Sequence, residues 1–201
     1  VISDGVGSKP LSNFGSYAAC RAVESAALVF SGNTEIKLDL VFKRIRDNWL
    51  SHIAPLEPAD CSATCLFAFR LGDGLIQLGM LGDGLAAVVK TDGSVVFLSE
   101  DKSRGFSNIS FALSPNATPN DWQYLSLLEE ECLAILLCTD GVSDDLENVD
   151  GFVRGVIDAY CSLAAVRANQ YLREMLENWP APKHSDDKTI ACLCRGEIVN
   201  G

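Results

Sequence analysis

Apolar residues recur at helical spacing from Phe14 to Phe30, where Tyr17, Val23, Ala27 and Phe30 form one stripe on an Ala-rich segment ended by Gly32. A second helix is predicted from about Glu35 to His52: Leu38, Val41, Phe42, Ile45 and Trp49 share a face, and Pro55 lies just beyond. The period then shortens. Ser62–Phe69, Leu75–Leu81, Leu85–Val89 and Val95–Leu98 read as strands, separated by Gly72-Asp73-Gly74, Gly82-Asp83-Gly84 and Thr91-Asp92-Gly93. The pentapeptide Leu-Gly-Asp-Gly-Leu occurs twice, ten residues apart, as a β-meander with evenly spaced turns would require. Ser99 to Leu127 is polar, carries Pro115 and Pro119, and reads as an irregular insert of the kind that borders a site. Cys132–Cys138 is apolar throughout, which predicts a strand buried on both faces. Helices over Gly151–Leu163 and about Val166–Trp179, the latter ended by Pro180 and Pro182, precede a last strand at Thr189–Cys194.

Helices grouped in pairs around a run of antiparallel strands predict an α+β fold, with helices covering packed sheets. No linker divides the 201 residues, so a single domain is expected. The chain lacks an initiator Met and opens on the strand-like Val1-Ile2-Ser3, so a preceding strand segment is expected to belong to the same domain. A net charge of −11 argues against nucleic-acid binding and against anionic membrane surfaces, and suits a protein that concentrates carboxylates for cations. Of the eight cysteines, Cys65, Cys132, Cys138 and Cys192 lie in strand-like runs and no C-x-x-C pair occurs. With neither a signal peptide nor a membrane-length apolar run, they read as reduced thiols of a cytoplasmic protein.

Six Asp-Gly pairs punctuate the chain. Asp92-Gly93 and Asp73-Gly74 read as plain turns, and Asp150-Gly151 as a helix N-cap. Asp140 differs because it follows an apolar strand that would deliver its carboxylate to a fixed place. Asp4 is followed by small residues that let the backbone approach an ion, and Asp186-Asp187 sets two like charges before an apolar strand. Carboxylates gathered this way repel one another and are costly to desolvate unless a cation sits between them. Oxygen donors suit Mg²⁺ or Mn²⁺.

The motifs Asp4-Gly5-Val6-Gly7-Ser8, Leu81-Gly82-Asp83-Gly84, Cys138-Thr139-Asp140-Gly141 and Ser185-Asp186-Asp187-Lys188-Thr189 span nearly the whole chain in one order. In that order they resemble the metal-dependent protein phosphatase family (protein phosphatase 2C, or PPM), especially its compact bacterial members. The resemblance implies a central antiparallel β-sandwich flanked by helices, in four layers α-β-β-α. It implies two Mn²⁺ or Mg²⁺ ions, with a looser site for a third. Carried over by motif, Asp4 bridges both ions, Gly5 offers its carbonyl, and Asp140 and Asp186 complete the first site. Asp83 serves the third ion, and Asp144 supports that region. The implied reaction is attack of a hydroxide bridging the ions on phosphoserine or phosphothreonine, with no protein nucleophile. The implied partners are a phosphorylated protein substrate and a cognate serine/threonine kinase.

Three departures stand beside the resemblance. Val6 occupies the place where many members have His, Leu85 and Ala86 replace a usual Arg, and the family's upstream acid and phosphate-binding Arg would precede Val1. Lys9 is a candidate phosphate-binding residue in the Asp4 loop, with a solvated loop lysine as the plainer reading. His184 reads as a loop residue, and Trp49, Trp122 and Trp179 as packing residues. Two further readings stay open: a catalytically inactive phosphatase fold that binds or regulates phosphoproteins, and a small-molecule phosphatase.

Overall fold

The computed structural model describes residues 1–30, 37–72, 74–99, 111–180 and 186–195. The chain order is α1 (Ser12–Phe30), α2 (Leu38–Ile53), β1 (Cys65–Arg70), β2 (Leu75–Leu81), β3 (Leu85–Lys90), β4 (Val95–Ser99), β5 (Gln123–Leu128), β6 (Cys132–Cys138), α3 (Asp140–Ser143), α4 (Val149–Cys161), α5 (Ala165–Glu177) and β7 (Ile190–Cys194). The positions Gly32, Glu35, Asp73, Pro182, His184 and Ser185 lie outside the described residues, as does the 100–110 part of the insert.

Two antiparallel sheets result, β1-β2-β5 and β4-β3-β6-β7. Alternation along each strand sorts its side chains into two cores. Leu66, Ile76, Leu78, Met80, Ala86, Val88, Ile135 and Leu137 face inward and pack the sheets against each other. Cys65, Phe67 and Leu81 face α1 and α2. Leu85, Ala87, Val89, Ala134, Leu136 and Cys138 face α3, α4 and α5. The predicted α-β-β-α layering is therefore present, and β6 is buried on both faces apart from the exposed Leu133.

The buried face of α1 is Ala18, Ala19, Ala22, Val23 and Ala26; of the predicted stripe Val23 is buried and Phe30 packs at its edge, but Tyr17 is 70% exposed. Small residues let α1 lie close to α2, whose Val41, Phe42, Ile45 and Trp49 fill the gap. Each such large apolar side chain contributes about 1.5–3 kcal/mol on burial. Trp49 also donates its indole N–H to the Gly15 carbonyl at 3.0 Å, which satisfies its one polar atom inside the core.

Four expectations need correction. The strands after β1 do not form one meander, since β2 and β3 lie in different sheets and Gly82-Asp83-Gly84 carries the chain from one to the other. Gly82 and Gly84 both have positive φ, a conformation that lets so short a link change sheets. The insert holds a strand, β5. It is an edge strand in which only Leu127 is buried, and it sits inside a polar, proline-bearing stretch. The N-cap of α4 is Asn148, which accepts the Gly151 amide at 2.9 Å, while Asp150 sits inside the first turn and pairs with Arg154 at 2.7 Å. Finally, Cys161 and Cys194 form a disulfide joining the end of α4 to the end of β7, and the other six cysteines are free.

Candidate metal centre

Register puts four acidic segments at one end of the sandwich. Cys65, first in β1, pairs with Leu81, last in β2. Leu85, first in β3, and Ile190, first in β7, both pair with Cys138, last in β6. Asp83 links β2 to β3, Asp140 follows β6, Asp186 precedes β7, and Asp4 lies alongside the entry to β1. Residues separated by up to 182 positions thus share one edge, because antiparallel pairing alternates strand starts with strand ends.

Asp4 is held by Thr64. The Thr64 hydroxyl accepts the Asp4 amide at 2.9 Å, and the Thr64 amide donates to the Asp4 carbonyl at 2.8 Å. Ser3 donates its hydroxyl to the Thr64 carbonyl at 2.5 Å. The Asp4 carboxylate accepts the Gly5 amide at 2.8 Å. A Cβ on Gly5 would stand 2.7 Å from the Ser12 hydroxyl, so only glycine fits here. Among the described residues, no hydrogen bond is made to the Gly5 carbonyl.

Thr139 holds the other half. It is 1% exposed, and its hydroxyl accepts the Thr189 amide at 3.0 Å and reaches the Asp187 carbonyl at 3.4 Å. Its own amide donates to the Thr189 carbonyl at 3.1 Å. Asp140 then opens α3 and accepts the Gly141 amide at 2.8 Å. A Cβ on Gly141 would collide with the Asp187 carbonyl, and one on Gly84 would come within 2.6 Å of the Cys138 carbonyl. The glycines of these Asp-Gly pairs serve close backbone approach. Gly74 and Gly93, in contrast, have nothing within 4 Å and serve only their turns.

The carboxylates repel one another. Burial pushes Asp4 up to about 6; the Gly5 amide opposes this, and Asp140, Asp186 and Asp187 add to it. Asp140 is raised by burial first, then by Asp83, Asp186 and Asp144, against the hydrogen bond from Gly141. Among the described residues, no three His, Cys, Asp or Glu side chains close on one point as a ligand set. The donor chemistry nevertheless fits a hard divalent cation, because it offers carboxylate oxygens that destabilise each other and the Gly5 carbonyl, to which no hydrogen bond is made.

Lys9 is half-buried in the wall of a cleft of about 380 Å³, shared with Val6, Ser62, Ser114 and Asn116, beside the Asp4 loop. Trp49 and Trp122 are core residues, and Trp122 stacks on Phe42 at 4.7 Å. Trp179 packs edge-on to Phe152 and donates to Asp145 at 2.8 Å. Sequence reasoning missed the roles of Thr64 and Thr139. For Thr139 the available signal was a threonine at the end of an apolar strand, directly before an aspartate; Thr64, just ahead of β1, carried no such signal. All six free thiols are pushed up by burial, Cys192 to about 12, so none is a thiolate nucleophile near neutral pH. Among the described residues, no helix is long and apolar enough to cross a membrane.

A family model described as Protein phosphatase 2C matches residues 1–177. Among solved structures, a bacterial serine phosphatase superposes with a TM-score of 0.63 at 16% identity, covering 98% of this chain and 86% of that one. The serine/threonine phosphatase Stp1 from Staphylococcus aureus gives 0.62 at 15% identity, covering 97% and 82%. RsbX, solved in complex with magnesium, gives 0.60 at 15% identity, covering 94% and 77%. At these identities the structural likeness is one of fold. No curated protein sequence matches the chain.

Proposed function

This chain belongs to the protein phosphatase 2C family, and from that premise we propose that it is a metal-dependent serine/threonine phosphoprotein phosphatase. The observation that carries the reading is the convergence of Asp4, Asp83, Asp140 and Asp186 at one end of the sandwich, where burial and the neighbouring carboxylates raise the proton affinity of Asp4 and Asp140.

Asp4, Asp140 and Asp186, with the Gly5 carbonyl, would hold two Mn²⁺ or Mg²⁺ ions, and Asp83 would hold a looser third. When bound, such ions supply an activated water near neutral pH and offset charge on the phosphoryl oxygens. Thr64 and Thr139 keep the acidic segments in register at one end of the sandwich. Lys9, in the adjacent cleft, would neutralise charge on the bound phosphate. Val6 cannot donate a proton, so the leaving serine or threonine takes its proton from solvent. The raised free thiols argue against a cysteine-nucleophile mechanism. The magnesium in the RsbX structure supports the choice of cation. The substrate would be a phosphorylated protein, and a serine/threonine kinase would supply it.

The test is hydrolysis of p-nitrophenyl phosphate and of phosphothreonine peptides with added Mn²⁺. Turnover abolished by EDTA is expected; no turnover, or turnover indifferent to EDTA, sinks the proposal. Val6, with Leu85 and Ala86 after the Asp83 turn, favours one second reading: a module that binds phosphoproteins without turning them over. Phosphopeptide binding without hydrolysis by Mn²⁺-saturated protein would select it.

A further inference from the structure

Asp186 is an exposed residue in a short approach to β7, and its backbone needs a restraint if its carboxylate is to meet Asp4 and Asp140 reproducibly. The Lys188 ammonium donates to the Asp186 carbonyl at 3.3 Å. Lysine is seldom buried, yet only 12% of the Lys188 side chain is exposed, and it lies 4.0 Å from the Asp145 carboxylate, itself 13% exposed. Asp145 in turn accepts the Trp179 indole N–H at 2.8 Å, and Trp179 stands edge-on to Phe152 of α4, ring centres 5.9 Å apart. Asp145 closely follows α3, whose first residue is Asp140. One largely buried ion pair therefore ties the segment carrying Asp140 to the segment carrying Asp186 and anchors both on α4.

We propose that Lys188 is a positioning residue: held by the Asp145–Trp179 pair, it fixes the Asp186 backbone and presets its carboxylate for a divalent cation. The ligand half of this statement rests on the phosphatase reading; the tether itself does not. Burying a charge pair returns little net stability, so its use lies in specifying one geometry. Groups behind metal ligands typically change affinity 10–100-fold when removed. The Thr139 latch is separate, since it engages Asp187 and Thr189 and leaves the Asp186 carbonyl to Lys188.

The experiment uses the whole chain and Lys188→Met, with Asp145→Asn/Lys188→Met as a second variant that leaves no unpaired buried charge if the single change fails to fold. In metal-free protein, amide exchange at Asp187 and Thr189 is expected to quicken tenfold or more, while amides of β6 are unchanged. In Mn²⁺ calorimetry the Kd is expected to rise 10–100-fold. Saturating Mn²⁺ should restore kcat with KM for the phosphopeptide unaltered, a split that general loosening would not produce. A folded variant with parental exchange and parental Mn²⁺ affinity overturns the proposal. If the unmodified chain binds no Mn²⁺, the phosphatase reading and the ligand role fall together, and the exchange measurement alone decides the tether.

Discussion

The Thr139 hydroxyl accepts the Thr189 amide at 3.0 Å, which fastens the approach to β7 onto the strand end that presents Asp140. The Thr139–Thr189 backbone bond at 3.1 Å would survive loss of the hydroxyl, so Thr139→Val removes only the side-chain latch. The expected cost is about 1 kcal/mol of stability, the ordinary net worth of a hydrogen bond. Urea unfolding measures it, and a weaker Mn²⁺ isotherm should accompany it.

Asp140→Asn separates ligation from folding. Asp140 is raised by Asp83, Asp186 and Asp144, so removing its charge relieves repulsion in the metal-free protein. The melting temperature without metal should stay level or rise by a few degrees. The stabilisation by added Mn²⁺ seen in the parent should vanish, because nothing binds the folded state preferentially. Phosphatase activity should vanish with it, and a fully active variant would disprove the ligand role.

The pH dependence follows from Asp4, raised from 3.8 to about 6 in the folded protein. Between those values the folded state holds more protons at Asp4 than the unfolded one, so the Asp4 contribution to metal-free stability is full below 3.8 and is lost as pH rises through about 6. After allowance for solvent screening of a half-exposed group, the change is about 1–2 kcal/mol. Asp4→Asn should lack this component, and the difference between the two stability profiles isolates it. With Mn²⁺ present the slope should reverse, because protons compete with the cation below about pH 6.

Gly141→Ala and Gly93→Ala distinguish a close approach from a turn. Gly141 has helical backbone, but an added Cβ meets the Asp187 carbonyl; the segment must move, and Mn²⁺ affinity should fall at least tenfold. Gly93 has φ of 83° and open space around it, so Ala there should cost about 1 kcal/mol and leave Mn²⁺ binding intact. Calorimetry on both variants checks the contrast.

The Cys161–Cys194 bond encloses α5 and the Asp186 segment. Alkylation of the denatured, unreduced protein should label six cysteines of eight. Cys161→Ser should cost about 2–4 kcal/mol in denaturant unfolding. Labelling of all eight would show the pair to be reduced.

Local pattern alone determined the helices α1, α2, α4 and α5, the strands β1, β2, β3, β4, β6 and β7, and that helices cover packed sheets; the four-layer order came with the family resemblance. Periods of 3.6 and 2 report which face each element buries, and those faces can be satisfied in few ways. The order of the Asp motifs likewise pointed to the family whose model matches residues 1–177. Tertiary structure decided the rest. Of two identical Leu-Gly-Asp-Gly-Leu segments, the second is crowded at Gly82 by Thr64 and at Gly84 by Cys138, while Gly74 of the first has open space around it. The edge strand β5 is embedded in a polar, proline-bearing stretch, and it forms by pairing with β2 beside it. Thr64, Thr139 and Lys188 read as ordinary polar residues until register sets each against an acidic segment 50 or more positions away or buries it beside Asp145. Sequence spacing encodes what a residue's own element buries; it does not encode which distant backbone will lie against it.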